Sequence, residues 1–357
     1  MYLNGAQKAH KLVFVKDITQ MEIVINCIII KTEMPKKRKR IIIIGLLFTI
    51  TLVCGIPLIY NYKYWSAPSK SVYSISEAVP ETDIVYTDRN STSLGFINAD
   101  GSGNTLLRFP FEFRMPEASK DGNFIYGTDD RVLSRSIYWD IKAHKVYSCN
   151  PDQWGAHMQV VGMEDPDHPE YALVDNNQRI ILLDIKECKI VQTIIETGTD
   201  AIYGISYNAD TKQLLYGLQI THLYHDSENR LRGTYEYQLR NFDLVSDENT
   251  QIAAGVNPSW SPDGSKISFT GTDGFYVMNA DGSNQQILFS YPTEDGLSSF
   301  SNYMHWSPDS KWLVYEYCEE TKNPPTTCEK NPIYIISSSG GSPIQIVDDG
   351  WFPFWMP

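Results

Sequence analysis

From about residue 82 onward, apolar and polar positions alternate in short runs broken by turns rich in Gly, Pro, Asn and Asp. Segment 257–288, NPSWSPDGSKISFTGTDGFYVMNADGSNQQIL, shows the pattern most clearly. It predicts a strand from Pro258 to Ser261, a Pro-Asp-Gly turn, a strand from Lys266 to Thr270 and a Gly-containing turn. A strand from Phe275 to Asn279, an Asp-Gly turn and a strand from Gln285 to Phe289 complete the unit. Four short antiparallel strands of this kind form one blade of a β-propeller.

The turn after the third strand counts the copies. It recurs at Asn98, Asp140, Asp184, Asp243, Asn279 and Ser337, in FINADG, YWDIKA, LLDIKE, NFDLVS, VMNADG and IISSSG. The turn between the first two strands repeats alongside it, as ASKDGNFIYG, SYNADTKQLLYG, SWSPDGSKISF and HWSPDSKWLVY. Six copies predict six blades. Blade one lacks a first strand upstream of residue 82, and residues 352–357, FPFWMP, align with NPSWSP at 257–262. The C-terminus is therefore expected to supply the innermost strand of blade one and close the ring, removing an open sheet edge.

SWSPDG at 259–264 and HWSPDS at 305–310 resemble the WD40-like (PD40) repeat of TolB-type six-bladed propellers. The likeness is strong over 257–345 and diffuse over 82–250. It implies an extracytoplasmic propeller that works mainly by binding other proteins. TolB itself carries an α/β domain ahead of its propeller, for which residues 66–81 are too short.

A different pattern precedes the repeats. Residues 41–60, IIIIGLLFTITLVCGIPLIY, are uncharged, and as a helix rising about 1.5 Å per residue they span roughly 30 Å, the thickness of a bilayer core. Lys36, Lys37, Arg38, Lys39 and Arg40 stand before this run, with Tyr60, Tyr62, Tyr64 and Trp65 at its far end. The expected fold is thus an all-β, six-bladed propeller over 82–357 preceded by one transmembrane α-helix. A cytoplasmic tail (1–40), a signal-anchor helix (41–60) and a linker (61–81) precede the propeller, which the positive-inside rule places outside the cytoplasmic membrane. Tyr and Trp after the apolar run argue against a cleaved signal peptide, and Thr51-Leu52-Val53 before Cys54 does not resemble a lipobox. Met34 opens MPKKRKR, so residues 1–33 read as an over-extended start or a tail.

An apolar fraction of 42% excludes wholesale disorder, and 12% aromatic residues suit strands. Beyond residue 60 the chain holds 21 basic and 40 acidic residues, net −19. Such a body repels phosphate backbones, which excludes nucleic acid as a partner and leaves cationic ones open.

Candidate chemistry is sparse. Asp100, Asp263 and Asp281 occupy repeat turns, where Asp caps its own turn. His222 and His225 lie three apart in an alternating strand, which sends their rings to opposite faces rather than to one metal. His157, Asp165, Asp167 and His168 form a loose loop cluster. No GxSxG elbow, Walker loop or dinucleotide fingerprint occurs, and neither a cofactor nor a metal is expected. Trp260, Trp306 and Trp355 share one repeat position and read as packing between blades. Cys318 and Cys328 bracket an insertion in blade six and are expected to form a disulfide. Cys149 ends an outer strand and Cys188 sits at the opposite-end turn of the next blade, a geometry that argues against a bond between them.

Long spacings reveal insertions around Leu223 to Arg232 in blade four and at 318–331 in blade six, on the face that carries second-to-third-strand loops. The binding candidates on that face are Asp129, Asp130, Arg131, Trp154, His157, Tyr224, His225 and Arg230, with the loop 291–303. A protein or envelope-polymer partner is expected, with the oligomeric state open. The alternatives are a propeller enzyme acting on glycans, which requires two carboxylates in a pocket at the channel mouth, and a sensor subunit.

Overall fold

A computed structural model describes residues 70–75, 81–88, 92–109, 112–129, 135–150, 159–290, 303–317 and 330–357, all within the compact unit Ala67–Pro357. The repeating turn explains why the sequence folds in these units. Ser261 donates its hydroxyl hydrogen to Asp263 at 2.7 Å and accepts from the Lys266 N–H at 2.9 Å, locking the turn that joins two strands. The same device recurs as Ser119 with Asp121 and Phe124, and as Ser307 with Asp309 and Trp312. Side-chain oxygens thereby satisfy backbone groups that the ladder leaves open.

The strands assemble into six sheets, ordered from the axis outward. Blade two begins with Arg114–Ala118, Phe124–Asp129, Arg135–Asp140 and Lys145–Cys149. Blade three is Gln159–Gly162, Tyr171–Asp175, Arg179–Asp184 and Lys189–Glu196. Blade four is Ala201–Asn208, Gln213–His225, Leu231–Asp243 and Asn249–Ala253. Blade five is Val256–Trp260, Lys266–Thr270, Gly274–Asn279 and Gln286–Ser290. Blade six is Met304–Trp306, Trp312–Glu316, Ile333–Ser337 and Ile344–Val347. Blade one joins Trp351–Trp355 to Ile84–Thr87, Ser93–Ile97 and Thr105–Arg108. Ile84 pairs with Trp355 and Val85 with Phe354, so the C-terminal strand closes the ring as expected.

The core is distributed among the blades. Six buried apolar clusters each straddle one pair of neighbours, such as Leu215, Leu239 and Ala253 of blade four against Trp260, Ile267, Phe269 and Met278 of blade five. Trp306 fills the blade five–six layer and donates its indole N–H to the Ser259 carbonyl at 3.1 Å, a contact between blades. Four inner strands carry a two-residue bulge, at Met115-Pro116, Tyr203-Gly204, Asn257-Pro258 and Phe352-Pro353. Proline suits a bulge because its nitrogen has no hydrogen to give the ladder.

Two features depart from the sequence reading. Lys70–Ser74, inside the segment read as a linker, adds a fifth strand to the outer edge of blade two, pairing Lys70 with Cys149 and Ser74 with Lys145. The second departure is a correction: Cys149 and Cys188 are disulfide-bonded, with Cα atoms 5.3 Å apart. Neighbouring strands twist by roughly 20–25°, so the outermost strand of a blade runs largely around the ring rather than along its axis. Its Cys149 end thereby reaches the third-to-fourth-strand turn of blade three. The same approach sets Lys186 over the Tyr138 and Tyr147 rings, at 5.2 and 5.7 Å, and Lys70 within 3.6 Å of Glu187. Cys318 and Cys328 lie outside the described residues.

Among the described residues no helix is long and apolar enough to cross a membrane; the segment 41–60 lies outside them.

Candidate functional site

Two regions stand out, at opposite ends of the propeller axis. The first is a hairpin on the loop face of blade four. Strands Gln213–His225 and Leu231–Asp243 pair along their whole length, but the inner strand accompanies them only to Gln219 and the outer strand only to Leu239. Residues 220–236 therefore project as a two-stranded ribbon. Directly opposed residues share a face, which sets Thr221, Leu223, His225, Leu231, Gly233 and Tyr235 on one side. Leu223 is 65% exposed, Leu231 60% and Tyr235 58%. The other side carries Ile220, His222, Tyr224, Arg232, Thr234 and Glu236.

Charges near the tip are satisfied within the ribbon. Asp226 accepts from the Arg230 and Arg232 side chains at 2.9 and 3.0 Å, Glu228 pairs with Arg230, and Glu236 with His222. These bonds hold the Asp226 carboxyl below the usual carboxylate range, the backbone N–H of Arg230 contributing most. Three of the sequence candidates, Tyr224, His225 and Arg230, thus gather on the hairpin. His222 and His225 face opposite sides, as their spacing requires. Asp129 lies on the same end of the propeller but is buried, accepting from the Glu112 N–H at 3.2 Å. Asp130, Arg131, Trp154, His157 and nearly all of the loop 291–303 lie outside the described residues. Among the described residues no group of His, Cys, Asp and Glu is placed to hold a metal ion.

The second region was not singled out in the sequence. All six inner strands end around a cavity of about 340 Å³ on the face of the first-to-second-strand turns. Its walls include Glu117, Glu164, His305, Trp260, Phe354 and Trp355. Burial and the neighbouring Glu164 push the Glu117 carboxyl up to about 8. No hydrogen bond reaches that carboxyl from the described residues. Glu164 is raised mainly by burial, while the Lys120 backbone N–H, 3.1 Å away, draws it back. The Lys120 ammonium is turned to Asp210 at 3.0 Å. Burial alone lowers His305 to about 4, which keeps it neutral. MPEASKDG at 115–122 matches NPSWSPDG at 257–264 position for position, so aligning these strands would have placed Glu117 beside Ser259 on the axis.

Deeper along the second strands, Asp175 and Glu316 are buried. Desolvation raises them to about 7 and about 8, against backbone hydrogen bonds from Asn177 and Phe352. Glu316 thus fastens blade six to the closing strand.

No family model matches the chain, and no curated protein matches it. Among solved structures it is similar to TolB from Acinetobacter baumannii, at 14% identity and a TM-score of 0.54, over 77% of this chain and 66% of that one. The chain thus spans just under two thirds of that protein's length. A putative TolB from Agrobacterium tumefaciens aligns at 14% identity and a TM-score of 0.47, covering 75% of this chain and 89% of the other. The likeness to the Acinetobacter protein shows the fold: a six-bladed β-propeller similar to that of TolB.

Proposed function

We propose that the chain is a scaffold anchored in the cytoplasmic membrane by residues 41–60, with its N-terminus in the cytoplasm, and that its propeller binds a protein or envelope polymer outside. The blade-four hairpin carries this reading. A two-stranded ribbon gains little stability of its own in water, and this one exposes Leu223, Leu231 and Tyr235 while its charged groups satisfy one another. Apolar surface presented in this way marks an interaction site. The Cys149–Cys188 bond supports an oxidising compartment, in keeping with the charge pattern around residues 36–65. Protein-binding TolB propellers offer a precedent for the fold, not for the partner.

The test is co-purification from envelope extract with the full-length chain and with a variant whose residues 220–236 are replaced by a two-residue turn. One protein or polymer retained by the parent and lost from the variant is the expected result. Equal recovery by both excludes the hairpin as the docking element.

A second reading, a propeller enzyme acting on glycans, is favoured by Glu117 and Glu164 at the cavity: two neighbouring carboxyls, with burial holding the Glu117 proton, suit glycoside cleavage. Release of reducing ends from envelope glycan by the parent but not by Glu117→Gln is its signature.

A further inference from the structure

The turn-face cavity has properties that docking by the loop face leaves unused. It collects two carboxyls, and the one lysine among the described residues of its wall, Lys120, draws Glu164 down but is hydrogen-bonded to Asp210. His305 shares the cavity as a neutral ring without a hydrogen bond from the described residues. Trp260, Trp306, Phe354 and Trp355 line it from three blades, and aromatic rings attract organic cations. The volume, about 340 Å³, lies within the range of small-ligand sites. The surrounding body, strongly acidic beyond residue 60, favours the approach of cations over anions.

We infer that this cavity binds a small protonated organic amine. Glu117 and Glu164 receive the ammonium, and the aromatic residues of the wall flank its carbon skeleton. The ammonium draws the proton off Glu117, so binding releases a proton and strengthens as pH rises. Among the described residues, the other ionisable groups around Glu117 are Glu164 of blade three, Lys120, Asp121 and Tyr126 of blade two, Tyr207 of blade four and His305 of blade six.

The test is calorimetric titration of the full-length chain in detergent with two matched pairs: D-glucosamine against D-glucose, and N-acetyl-lysinamide against N-acetylnorleucinamide. Each pair differs in one ammonium group. The expected result is at least tenfold tighter binding of the charged member in one pair, with a tenfold or greater loss in both Glu117→Gln and Glu164→Gln. For the lysine probe, which stays charged across the range, affinity rises about tenfold between pH 6.5 and 8.5. Equal binding within both pairs, no binding of either amine, or preference for glucose overturns the inference; the last result favours the glycan reading. If a glutamine variant fails to fold, the matched pairs on the unaltered chain still decide.

Discussion

At the residue scale, single side chains fix the repeat. Ser261 is buried and makes two hydrogen bonds within its turn, so Ser261→Ala leaves the Lys266 N–H short of a partner. The expected cost is about 1–2 kcal/mol in urea denaturation. Glu316 and Asp175 govern a pH effect whose sign is definite. Burial raises both carboxyls above their unfolded values near 4. The native state therefore holds their protons more tightly, and the stability this confers fades as pH climbs through about 7 to 8. His305 acts in the opposite sense: its depressed value makes stability fall as pH drops below 6.5 toward about 4. Glu316→Gln is expected to melt several degrees above the parent at pH 8.5 and close to it at pH 5, measured by calorimetry. The Ser-x-Asp turns were legible because their chemistry is local. Glu316 was not, because its position in the strand is held by Thr in blades one, two and five, and its role depends on a strand from the other end of the chain.

At the scale of elements, the strands and the closing segment could be read from alternation and turn residues, since both signals repeat. Strand Lys70–Ser74 could not, because KSVYS pairs with a partner more than seventy residues away and carries no turn to announce it. The Cys149–Cys188 bond escaped for a related reason: inter-strand twist, which sequence position alone does not convey, brings the two residues together. Replacing both cysteines with serine is expected to lower stability by about 2–4 kcal/mol under non-reducing conditions, as measured by denaturant titration. Replacing the ribbon 220–236 with a short turn should leave the melting temperature nearly unchanged, because the ribbon contributes to none of the six clusters between blades. A large fall in melting temperature on shortening would show that the ribbon is structural rather than an element of docking.

At the scale of the molecule, stability comes from a closed circle of six apolar layers, so the ring depends on its last strand. Removing 351–357 uncovers the Ile84–Thr87 edge and takes away the Phe352 N–H that Glu316 holds. Loss of the single cooperative unfolding transition is the expected outcome, read by calorimetry. The closed ring presents two unlike ends: an apolar ribbon on one and a carboxyl-lined, aromatic-walled cavity on the other. The central functional claim is that the ribbon end docks a partner, and photo-crosslinking in intact cells tests it most directly. A crosslinking amino acid is placed in the full-length chain at Leu223 or Tyr235, and at Val191, exposed on the outer strand of blade three, as the control. One discrete adduct from both ribbon positions and none from Val191 is the predicted result. No adduct from the ribbon, or the same adducts from all three positions, would contradict the scaffold reading.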